Sequence, residues 1–395
     1  MRTIGVVTTA RSEYGLIRPL LRLIEDDPDL RLHLMVGGTH LSPQFGMTVT
    51  EIEADGFEIQ ERIESIQQGD TPEDIAKAIG IGALGWAEVY ARSQLDILVV
   101  LGDRFEMYAA ALTSVPFRIP LAHIHGGEVT EGALDDIWRH SITKMAHVHF
   151  VSTAEYGDRV RQLGEEDWRI NVVGALSLDN ARTVELLSRE EIDRRFGVSL
   201  PERFLLVTFH SVTTEYEKTG ARCSELLAAL NDVDLPVLFT MPNADSGGMV
   251  IREMIREFVS TNPKAKAVEN LGTQGYLSVM NLALAMVGNS SSGIVEAAPF
   301  KLPVVNIGTR QKGRALSANI INSDYGRAEI ARAIHRATSE AFSDTLCTLK
   351  SPYGDGHTAE QIVKVLKEIK LDQRLLTKAF QDLPGRSGPC QNPER

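Results

Sequence analysis

Acidic and histidine side chains are concentrated in the stretch AHIHGGEVTEGALDDIWRHSITKMAHVHF, residues 122–150. It holds four carboxylates and five of the ten histidines in the chain. Carboxylates that share a sheltered site push each other's pKa values apart, so that one can act as an acid and another as a base. Histidines in a cluster can instead bind a metal, and acids before a helix can simply offset its dipole. The stretch is therefore open to three interpretations: an acid/base site, a metal site, or a loop with a charged helix start.

More polar residues follow apolar runs elsewhere in the chain. Asp103 and Glu106 come after DILVVLGD, Glu128 comes after LAHIHGG, and His210 ends RFLLVTFH. Arg11 follows the first run, GVVTTA. The carboxyl ends of parallel strands meet at one edge of a sheet, where such proteins bind their ligands. This pattern favours a functional site over a set of unrelated turns.

The histidines argue against a metal site. His123 and His125 alternate along an expected strand and so share a face, as ligands can. His147 and His149 repeat the alternation in the next strand, which is typical of packing. No further His or Cys stands at a metal-ligand spacing nearby. The sequence therefore favours acid/base chemistry and predicts that no metal is bound.

The second part of the stretch has helical periodicity. Leu134, Ile137 and Ile142 belong to an apolar stripe that should face the core. Asp135 and Arg139 are four residues apart, so we expect them to share a helix face and form an ion pair.

A serine-rich segment, GNSSSGIVEAAPF, suggests an anion site in the second half of the chain. Ser290, Ser291 and Ser292 stand where a helix should begin, so hydroxyls and free backbone N–H groups could hold phosphate. A single serine as N-cap is the simpler explanation of such a position. Glu296 should lie one turn into this helix, where it could accept hydrogen bonds from a diol such as ribose.

Two arginines and a tyrosine could complete a nucleotide site. Arg310 and Arg314 occur in GTRQKGR after another apolar run, and guanidinium groups suit phosphates. Tyr276, in GTQGYLSVM, could stack on a base or merely pack.

Short apolar segments alternate with amphipathic helical segments along the whole chain, which predicts parallel sheets covered by helices. The series restarts after SREEIDRRFG, residues 188–197. We therefore predict an α/β protein with two Rossmann-like, doubly wound domains, 1–175 and 176–357, facing each other across a ligand-binding cleft. A C-terminal helix within 358–382 could pack back on the first domain, and the Pro- and Gly-rich tail 384–395 should be disordered.

The segment GIGALG, residues 80–85, matches the dinucleotide fingerprint but lies in the wrong context. Thr71-Pro72 reads as a helix start, and helical periodicity runs directly into the glycines. We therefore expect close helix packing here and no nicotinamide cofactor.

Composition limits the class of partner. The 395 residues carry a net charge of −12, which disfavours broad binding to nucleic acid. No apolar run is long enough to cross a bilayer, and the first residues enter a strand pattern without a signal-peptide architecture. The three cysteines form neither a disulfide framework nor a zinc pattern. These features fit a protein of the reducing cytoplasm.

Several motifs together resemble the hydrolysing UDP-N-acetylglucosamine 2-epimerases, which open the pathways to sialic-acid-type sugars. The motifs are ARSEYG, LGDRFE, HIHGGE, DDIWRHSITK, TFHSVT, PNADSGG, GNSSSGIVEAAPF and GTRQKGR, and they occur in the family's order over about residues 1–350. The resemblance implies a GT-B-like fold, no cofactor, a UDP-sugar as the bound partner, and assembly as a homodimer or homotetramer.

The resemblance also implies a mechanism. A base removes the proton on carbon 2 while UDP leaves carbon 1, and water then adds to the resulting 2-acetamidoglucal. Asp103, Glu128 and Asp135 occupy the catalytic carboxylate positions of the family, and His210 matches its histidine. Arg11, Ser291, Ser292 and Glu296 match nucleotide-binding positions, and Tyr276 lies where an aromatic ring approaches uracil. The further residues that we expect to contact the substrate are Glu106, His125, Arg139, Ser290, Arg310 and Arg314.

The sequence leaves the substrate open. The main expectation is hydrolysis of UDP-N-acetylglucosamine to UDP and N-acetylmannosamine, with cleavage of the O-glycosyl bond. A second possibility is the same reaction on the UDP-linked 2,4-diacetamido-2,4,6-trideoxy sugar of legionaminic acid synthesis. The motifs are also compatible with a non-hydrolysing epimerase, a GT-B glycosyltransferase or a UDP-sugar-binding regulator.

Overall fold

A computed structural model describes residues 1–66, 71–130, 134–242 and 248–382 of the chain. The chain divides into two compact units. The first comprises Met1–Val129, Ala133–Leu176 and the chain from His357 onwards, and the second comprises Ser177–Gly356. The tail 384–395 lies outside the described residues.

The first unit is built on a seven-stranded parallel sheet with the order β3-β2-β1-β4-β5-β6-β7. Its strands are β1 (Arg2–Thr8), β2 (Leu30–Gly37), β3 (Ile59–Ile63), β4 (Ile97–Leu101), β5 (Leu121–Ile124), β6 (Val148–Val151) and β7 (Ile170–Val172). Strands β4, β5 and β6 are buried along their whole length because helices cover both faces of the sheet.

Six helices connect these strands. They are α1 (Arg11–Glu25), α2 (Val49–Ala54), α3 (Pro72–Arg92), α4 (Phe105–Ser114), α5 (Leu134–Met145) and α6 (Ala154–Gln162). One hydrophobic cluster lies between the sheet and α1, and it includes Ile17, Leu20 and Leu21. A second cluster lies under α3 and α4, around Trp86 and Met107.

The second unit is built on a six-stranded parallel sheet with the order β10-β9-β8-β11-β12-β13. Its strands are β8 (Leu205–Thr208), β9 (Val237–Thr240), β10 (Ala265–Val268), β11 (Ala285–Gly288), β12 (Val304–Ile307) and β13 (Ile320–Ser323). Its helices are α7 (Leu176–Thr183), α8 (Arg189–Phe196), α9 (Thr219–Val233), α10 (Gly248–Thr261), α11 (Gly272–Leu282), α12 (Ser291–Val295), α13 (Arg327–Ala337) and α14 (Glu340–Thr345).

The end of the chain returns to the first unit. Helix α15 (Thr358–Glu368) buries Ala359, Ile362 and Leu366 in the same cluster as α1, and α16 (Gln373–Leu376) follows it. The fully buried guanidinium of Arg169 donates to the backbone carbonyls of 374, 375 and 377. These bonds satisfy carbonyls that the short last helix leaves without partners.

The two sheets confirm the predicted α/β class with two doubly wound, Rossmann-like domains. Three strands at the sheet edges, β3, β10 and β13, were not predicted. Ile59–Ile63 reads IQERI, and Ala265–Val268 reads AKAV, so neither shows the long apolar run of a strand buried on both faces. Edge strands pair on one side only and therefore tolerate polar residues.

The glycines of GIGALG lie inside the long helix α3, as the helical periodicity predicts. Thr71 caps this helix and forms a reciprocal capping box with Asp74. A Cβ at Gly85 would lie 2.7 Å from the Cγ2 atom of Ile63, and one at Gly82 would lie 3.3 Å from the Cβ of Ala109. The glycines thus allow α3 to approach its neighbours closely. No helix in the described part of the chain has the length and apolar composition needed to cross a bilayer.

Alanine substitutions should distinguish a glycine of α3 that close packing requires from one that it does not. Gly85→Ala should lower the free energy of unfolding by about 1–3 kcal/mol because its methyl group meets Ile63. Gly80→Ala is the matched control, since Gly80 is exposed and no atom lies within 4 Å of an added Cβ. It should raise the free energy of unfolding by about 0.5–1 kcal/mol. Urea unfolding of both variants measures this, and equal effects would contradict the packing role.

Candidate functional site

In each sheet, the strand order reverses between two adjacent strands, β1 and β4 in the first unit and β8 and β11 in the second. The loops after such a pair leave in opposite directions and open a crevice, where doubly wound proteins bind ligands. Arg11 and Asp103 follow the first pair, and His210 and Ser290 follow the second. The predicted residues therefore lie near the switch point of each unit.

Arg139, on helix α5, contacts the loops after β4 and β5 and its own helix. Its guanidinium is 5% exposed and forms ion pairs with Asp103, after β4, and with Asp136 at 2.6 Å. It also donates to the backbone carbonyl of Glu128, after β5, at 3.1 Å. The ion pairs described for Arg139 do not go to Asp135, so the pair predicted from the spacing is wrong. Helix α5 instead turns Asp136 and Arg139, which are three residues apart, toward the sheet.

The helical periodicity also predicts a wider buried apolar face for α5 than the structure has. Ile142 is fully buried, but Leu134 and Ile137 are 63% and 58% exposed. The helix buries Arg139 and Thr143 beside Ile142 because it covers the polar end of the sheet.

Glu128 is held by the neighbouring loop. Its Oε1 atom accepts a hydrogen bond from the Ser152 hydroxyl, after β6, at 2.8 Å, and lies 3.9 Å from Nδ1 of His125. The adjacent Gly127 has a φ of 79°, and a Cβ there would collide with the backbone carbonyl of Tyr156. The glycine therefore brings the Glu128 loop against α6, whose Arg159 donates to the Gly127 carbonyl at 2.5 Å.

Asp135 lies in the field of a second arginine. Burial raises the pKa of its carboxyl, while the positive charge of Arg104 lowers it and the neighbouring Asp136 raises it. Arg104 is fixed by a two-point ion pair with Glu106, whose side chain is 2% exposed. Glu106, a predicted substrate residue, thus contacts another side chain of the site, and its two carboxylate oxygens point to Arg104.

Glu13 was not identified from the sequence, although it belongs to the ARSEYG motif. One of its carboxylate oxygens accepts hydrogen bonds from the backbone and hydroxyl of Thr9 and from the backbone of Ala10. The other oxygen is buried without a hydrogen-bond partner among the described residues. Burial raises the pKa of Glu13 to about 7, although Arg104 lowers it. Only its place in the first turn of α1, directly after the first strand, could have indicated that Glu13 belongs to the site.

The histidines of the opening stretch have internal partners. His123 contacts the Gly102 carbonyl at 2.8 Å and the Thr143 hydroxyl at 3.2 Å, and burial lowers its pKa to about 3. His149 contacts the buried Glu165 at 3.1 Å. Within the described residues, no three His, Cys, Asp or Glu side chains are grouped as metal ligands.

In the second unit, His210 and Asn289 join the two strands of the switch point. The His210 backbone N–H donates to the Asn289 side chain at 2.8 Å, and the Asn289 amide donates back to the His210 carbonyl at 2.9 Å. Burial lowers the pKa of the His210 imidazole to about 4, and the charge of Arg310 lowers it further. The imidazole is therefore neutral at neutral pH. Asn289 was not singled out from the sequence because an asparagine after a strand is common in turns.

The loop containing Arg310 is anchored at the same point. The Arg310 guanidinium and the Gln311 amide both donate to the Asn289 carbonyl, at 3.1 and 2.8 Å. Arg314 lies in the turn that follows, where its backbone N–H donates to the Gln311 carbonyl at 3.3 Å.

The three serines begin helix α12, as predicted, but the helix has only five residues. Ser290 is the N-cap and its hydroxyl bonds the hydroxyl of Ser292 at 2.8 Å. The Tyr276 hydroxyl contacts Ser292 at 2.7 Å and Thr208 at 3.5 Å. Tyr276 is therefore part of a hydroxyl network, and burial raises its pKa to about 12. Ser291 is the first helical residue.

Glu296 is the C-cap of α12 and does not lie one turn into the helix as predicted, because the helix ends at Val295. Burial raises the pKa of its carboxyl to about 7, and a hydrogen bond from Ser177 lowers it. A carboxyl of this kind can both accept and, when protonated, donate a hydrogen bond.

Arg11 stands apart from the ion pairs around Asp103. It is the first residue of α1, its side chain is 55% exposed, and it pairs with Glu51 at 3.1 Å. Of the four carboxylates predicted in the first unit, Asp103, Glu128, Asp135 and Glu106 are all connected through Arg139 or Arg104.

Two doubly wound units, each with polar groups at its switch point, place the chain in the GT-B-like class of α/β proteins. The family described as UDP-N-acetylglucosamine 2-epimerase matches residues 22–367, and the chain belongs to this family.

Two similar relatives are named as hydrolysing enzymes. The GDP/UDP-N,N'-diacetylbacillosamine 2-epimerase (hydrolyzing) of Campylobacter jejuni is 38% identical over 97% of this chain and 99% of its own. The UDP-N,N'-diacetylbacillosamine 2-epimerase (hydrolyzing) of Legionella pneumophila is 35% identical over 96% of this chain and 99% of its own.

A solved structure has the same fold. The UDP-GlcNAc 2-epimerase of Neisseria meningitidis, bound to UDP-GlcNAc, superposes with a TM-score of 0.76. The match covers 93% of this chain and all of that one, at 15% identity.

The titration of Glu296 should appear in the pH dependence of stability. Its pKa is raised on folding from 4.5 to about 7, so its stabilising contribution is complete below pH 4.5 and is lost as the pH rises through 7. Glu296→Gln cannot ionise, so its stability relative to the wild type should increase between pH 5 and pH 8. The urea unfolding midpoints of the wild type and of Glu296→Gln at pH 5 and at pH 8 measure this difference.

The exposed Glu253→Gln, on α10, is the matched control and should show no such trend. A difference between wild type and Glu296→Gln that does not change with pH would contradict the raised pKa.

Proposed function

We propose that the protein is a hydrolysing 2-epimerase of a UDP-linked 2,4-diacetamido-2,4,6-trideoxyhexose. It converts this nucleotide sugar and water into UDP and the free sugar, with inversion at carbon 2. The observation that carries the proposal is that Arg139 joins Asp103 to the backbone of Glu128 from the helix that also carries Asp135, in a member of the epimerase family.

The reaction needs a strong, well-positioned base. The proton on carbon 2 of an acetamido sugar is weakly acidic, so a carboxylate must remove it as UDP departs from carbon 1. Water then adds to the acetamidoglucal: a proton returns to carbon 2 on the opposite face and a hydroxide equivalent joins carbon 1. Carboxyl groups with separated proton affinities can serve both steps, and burial raises the pKa of Asp135, which suits it to donate a proton.

Asp103 and Asp135 lie beside different arginines, Arg139 and Arg104, and we infer that they have different tasks. Asp103 is ion-paired with Arg139, which favours its charged form and fixes its direction. Glu128 accepts a hydrogen bond from the Ser152 hydroxyl on the same oxygen that faces His125. We assign the positioning of the sugar to Asp103 and the proton transfers to Glu128 and Asp135.

The second unit is proposed to hold UDP. The charge that develops on the leaving diphosphate needs fixed donors, and the hydroxyls of Ser290–Ser292 and the guanidinium of Arg310 are suited to it. The partly buried carboxyl of Glu296 would accept hydrogen bonds from the ribose hydroxyls. His210 is neutral, so it would bind the departing diphosphate as a hydrogen-bond donor and not as a cation.

The choice of sugar follows the relatives. Both hydrolysing relatives described above are named for diacetylbacillosamine nucleotides and cover nearly the whole chain. This reverses the order of the two substrates expected from the sequence, where UDP-N-acetylglucosamine came first. Family analogy further supports a cytoplasmic homodimer or homotetramer.

Proton NMR of the reaction in heavy water tests the function and the substrate together. With the UDP-diacetamido sugar, we expect UDP and a free sugar of the manno configuration, with one deuterium at carbon 2. With UDP-N-acetylglucosamine, the kcat/KM should be at least tenfold lower. Release of a UDP-linked epimer would instead identify a non-hydrolysing enzyme, and no turnover of either compound would refute the proposal.

Neutral variants of the carboxylates test the mechanism. Asp103→Asn, Glu128→Gln and Asp135→Asn should each lower kcat at least about 100-fold, as expected for loss of an acid, a base or an orienting charge. UDP binding, measured by calorimetry, should remain because UDP is assigned to the second unit.

Glu155→Gln is the matched control, since Glu155 lies on α6 with its side chain 57% exposed. It should retain wild-type kcat. Full activity in any of the three variants would remove that carboxylate from the mechanism.

A further inference from the structure

The first unit contains a cavity that none of the roles above uses. It has a volume of about 500 Å³ and lies at the carboxyl ends of β2 and β3. Gly38, Leu41, Ser42, Pro43 and Gln44 form one side, and the residues that follow β3 form the other. This volume is within the range of small-molecule sites.

Its lining combines apolar and polar groups. Leu41, Pro43 and Ile66 offer apolar surface. The polar groups of the lining are the Gln44 amide, the Glu64 carboxylate and the hydroxyls of Ser42 and Ser65. Ser65 is only 6% exposed and lies on the cavity wall beside Glu64. A few polar groups that converge on a partly apolar pocket can fix the orientation of a ligand.

The cavity adjoins the proposed catalytic carboxylates through one shared wall. A Cβ at Gly38 would lie 3.3 Å from Cγ of Glu106, the partner of Arg104, and 2.6 Å from the Thr9 carbonyl. The Thr39 backbone N–H also donates to that carbonyl, at 2.8 Å. Gly38 has a φ of 59°, so the close approach of β2 to the β1 loop requires a glycine here.

The spacing of the strands gives the distance between the end of β2, at the cavity, and the end of β4, at Asp103. Strand β1 lies between β2 and β4, so the ends of β2 and β4 are about 10 Å apart, two strand spacings. A hexose with its reacting carbons at the residues after β4 and β5 would extend toward the cavity if carbon 4 is directed across β1, and this orientation is part of the proposal that follows.

We propose that this cavity, here called the β2–β3 pocket, binds the 4-acetamido group and the neighbouring 6-methyl group of the substrate. The inference rests on the proposed function and deepens it, because it assigns the choice between the two candidate sugars to residues 38–44 and 64–66. UDP-N-acetylglucosamine carries a hydroxyl on carbon 4 and a hydroxymethyl group on carbon 5, and so cannot fill the pocket in the same way.

The chemistry of an acetamido group matches the lining. Its N–H is a donor for the Glu64 carboxylate, its carbonyl accepts from the Ser65 hydroxyl or the Gln44 amide, and its methyl group suits Leu41 and Ile66. A site that hydrogen-bonds a substrate group discriminates strongly against an analogue lacking it, because the site's own polar groups stay unpaired.

The measurement is the ratio of kcat/KM for the UDP-diacetamido sugar to that for UDP-N-acetylglucosamine. Gln44→Trp, which fills the pocket from an exposed loop position, should lower this ratio about tenfold or more. Glu64→Gln replaces the charged acceptor for the amide N–H by a neutral one and should lower the ratio about tenfold, because a hydrogen bond to a charged group is the stronger one.

Each variant has a matched control outside the lining. Glu58→Gln makes the same charge change one residue before β3, at the opposite end of the strand from Glu64, and Glu58 is also exposed. Phe45→Trp places the same bulk next to Gln44, and Phe45 is 51% exposed. Both should keep the wild-type ratio, and thermal unfolding should show that all four variants are folded.

The outcomes separate the two proposals. A wild type that prefers the diacetamido sugar, with ratios unchanged in Gln44→Trp and Glu64→Gln, overturns the pocket and leaves the proposed function intact. If the ratio falls equally in the variants and in their controls, the role of the pocket is overturned as well. A wild type that does not act on the diacetamido sugar overturns both.

Discussion

Arg139 is the group on which the geometry of the first unit depends. Its partners come from the loop after β4, the loop after β5 and the first turn of its own helix α5. The buried guanidinium connects them through Asp103, Asp136 and the Glu128 carbonyl. Removing one partner of such a buried ion pair costs about 3–5 kcal/mol, because it leaves a charge without compensation. The arrangement of the acidic groups is therefore a property of α5 as much as of the sheet.

Charge balance around this arginine also sets the chemistry. Arg104 and Arg139 lie among five acidic side chains, those of residues 13, 103, 106, 135 and 136. Two positive charges cannot neutralise five negative ones, and burial adds to the cost of ionising these carboxyl groups. Glu13 and Asp135 have raised pKa values, whereas Asp103 has a direct cationic partner. Acids and bases can therefore coexist at one edge of the sheet near neutral pH.

The fold could be predicted well from the sequence because buried parallel strands leave a strong signal. Runs such as ILVVL in β4 are apolar throughout, and caps such as Thr71 before α3 are visible in the residue pattern. Edge strands such as IQERI carry no comparable signal. The clustering of Asp103 and Glu128 could also be anticipated, since both follow adjacent strands. Its electrostatic partners could not be anticipated. Arg104 and Glu13 act through tertiary contacts, and Arg139 pairs with Asp136 although i,i+3 and i,i+4 spacings allow either Asp136 or Asp135 as its partner.

The return of the chain's last described segment to the first unit has a consequence for synthesis on the ribosome. The core around α1 includes Ile362, Leu366 and Leu375, so its hydrophobic surface stays partly uncovered until nearly the entire polypeptide has emerged. The second unit, in contrast, is contiguous from Ser177 to Gly356 and has all of its own core residues earlier. The half of the molecule that is translated first is thus the half that matures last, and during that delay it exposes apolar surface to chaperones.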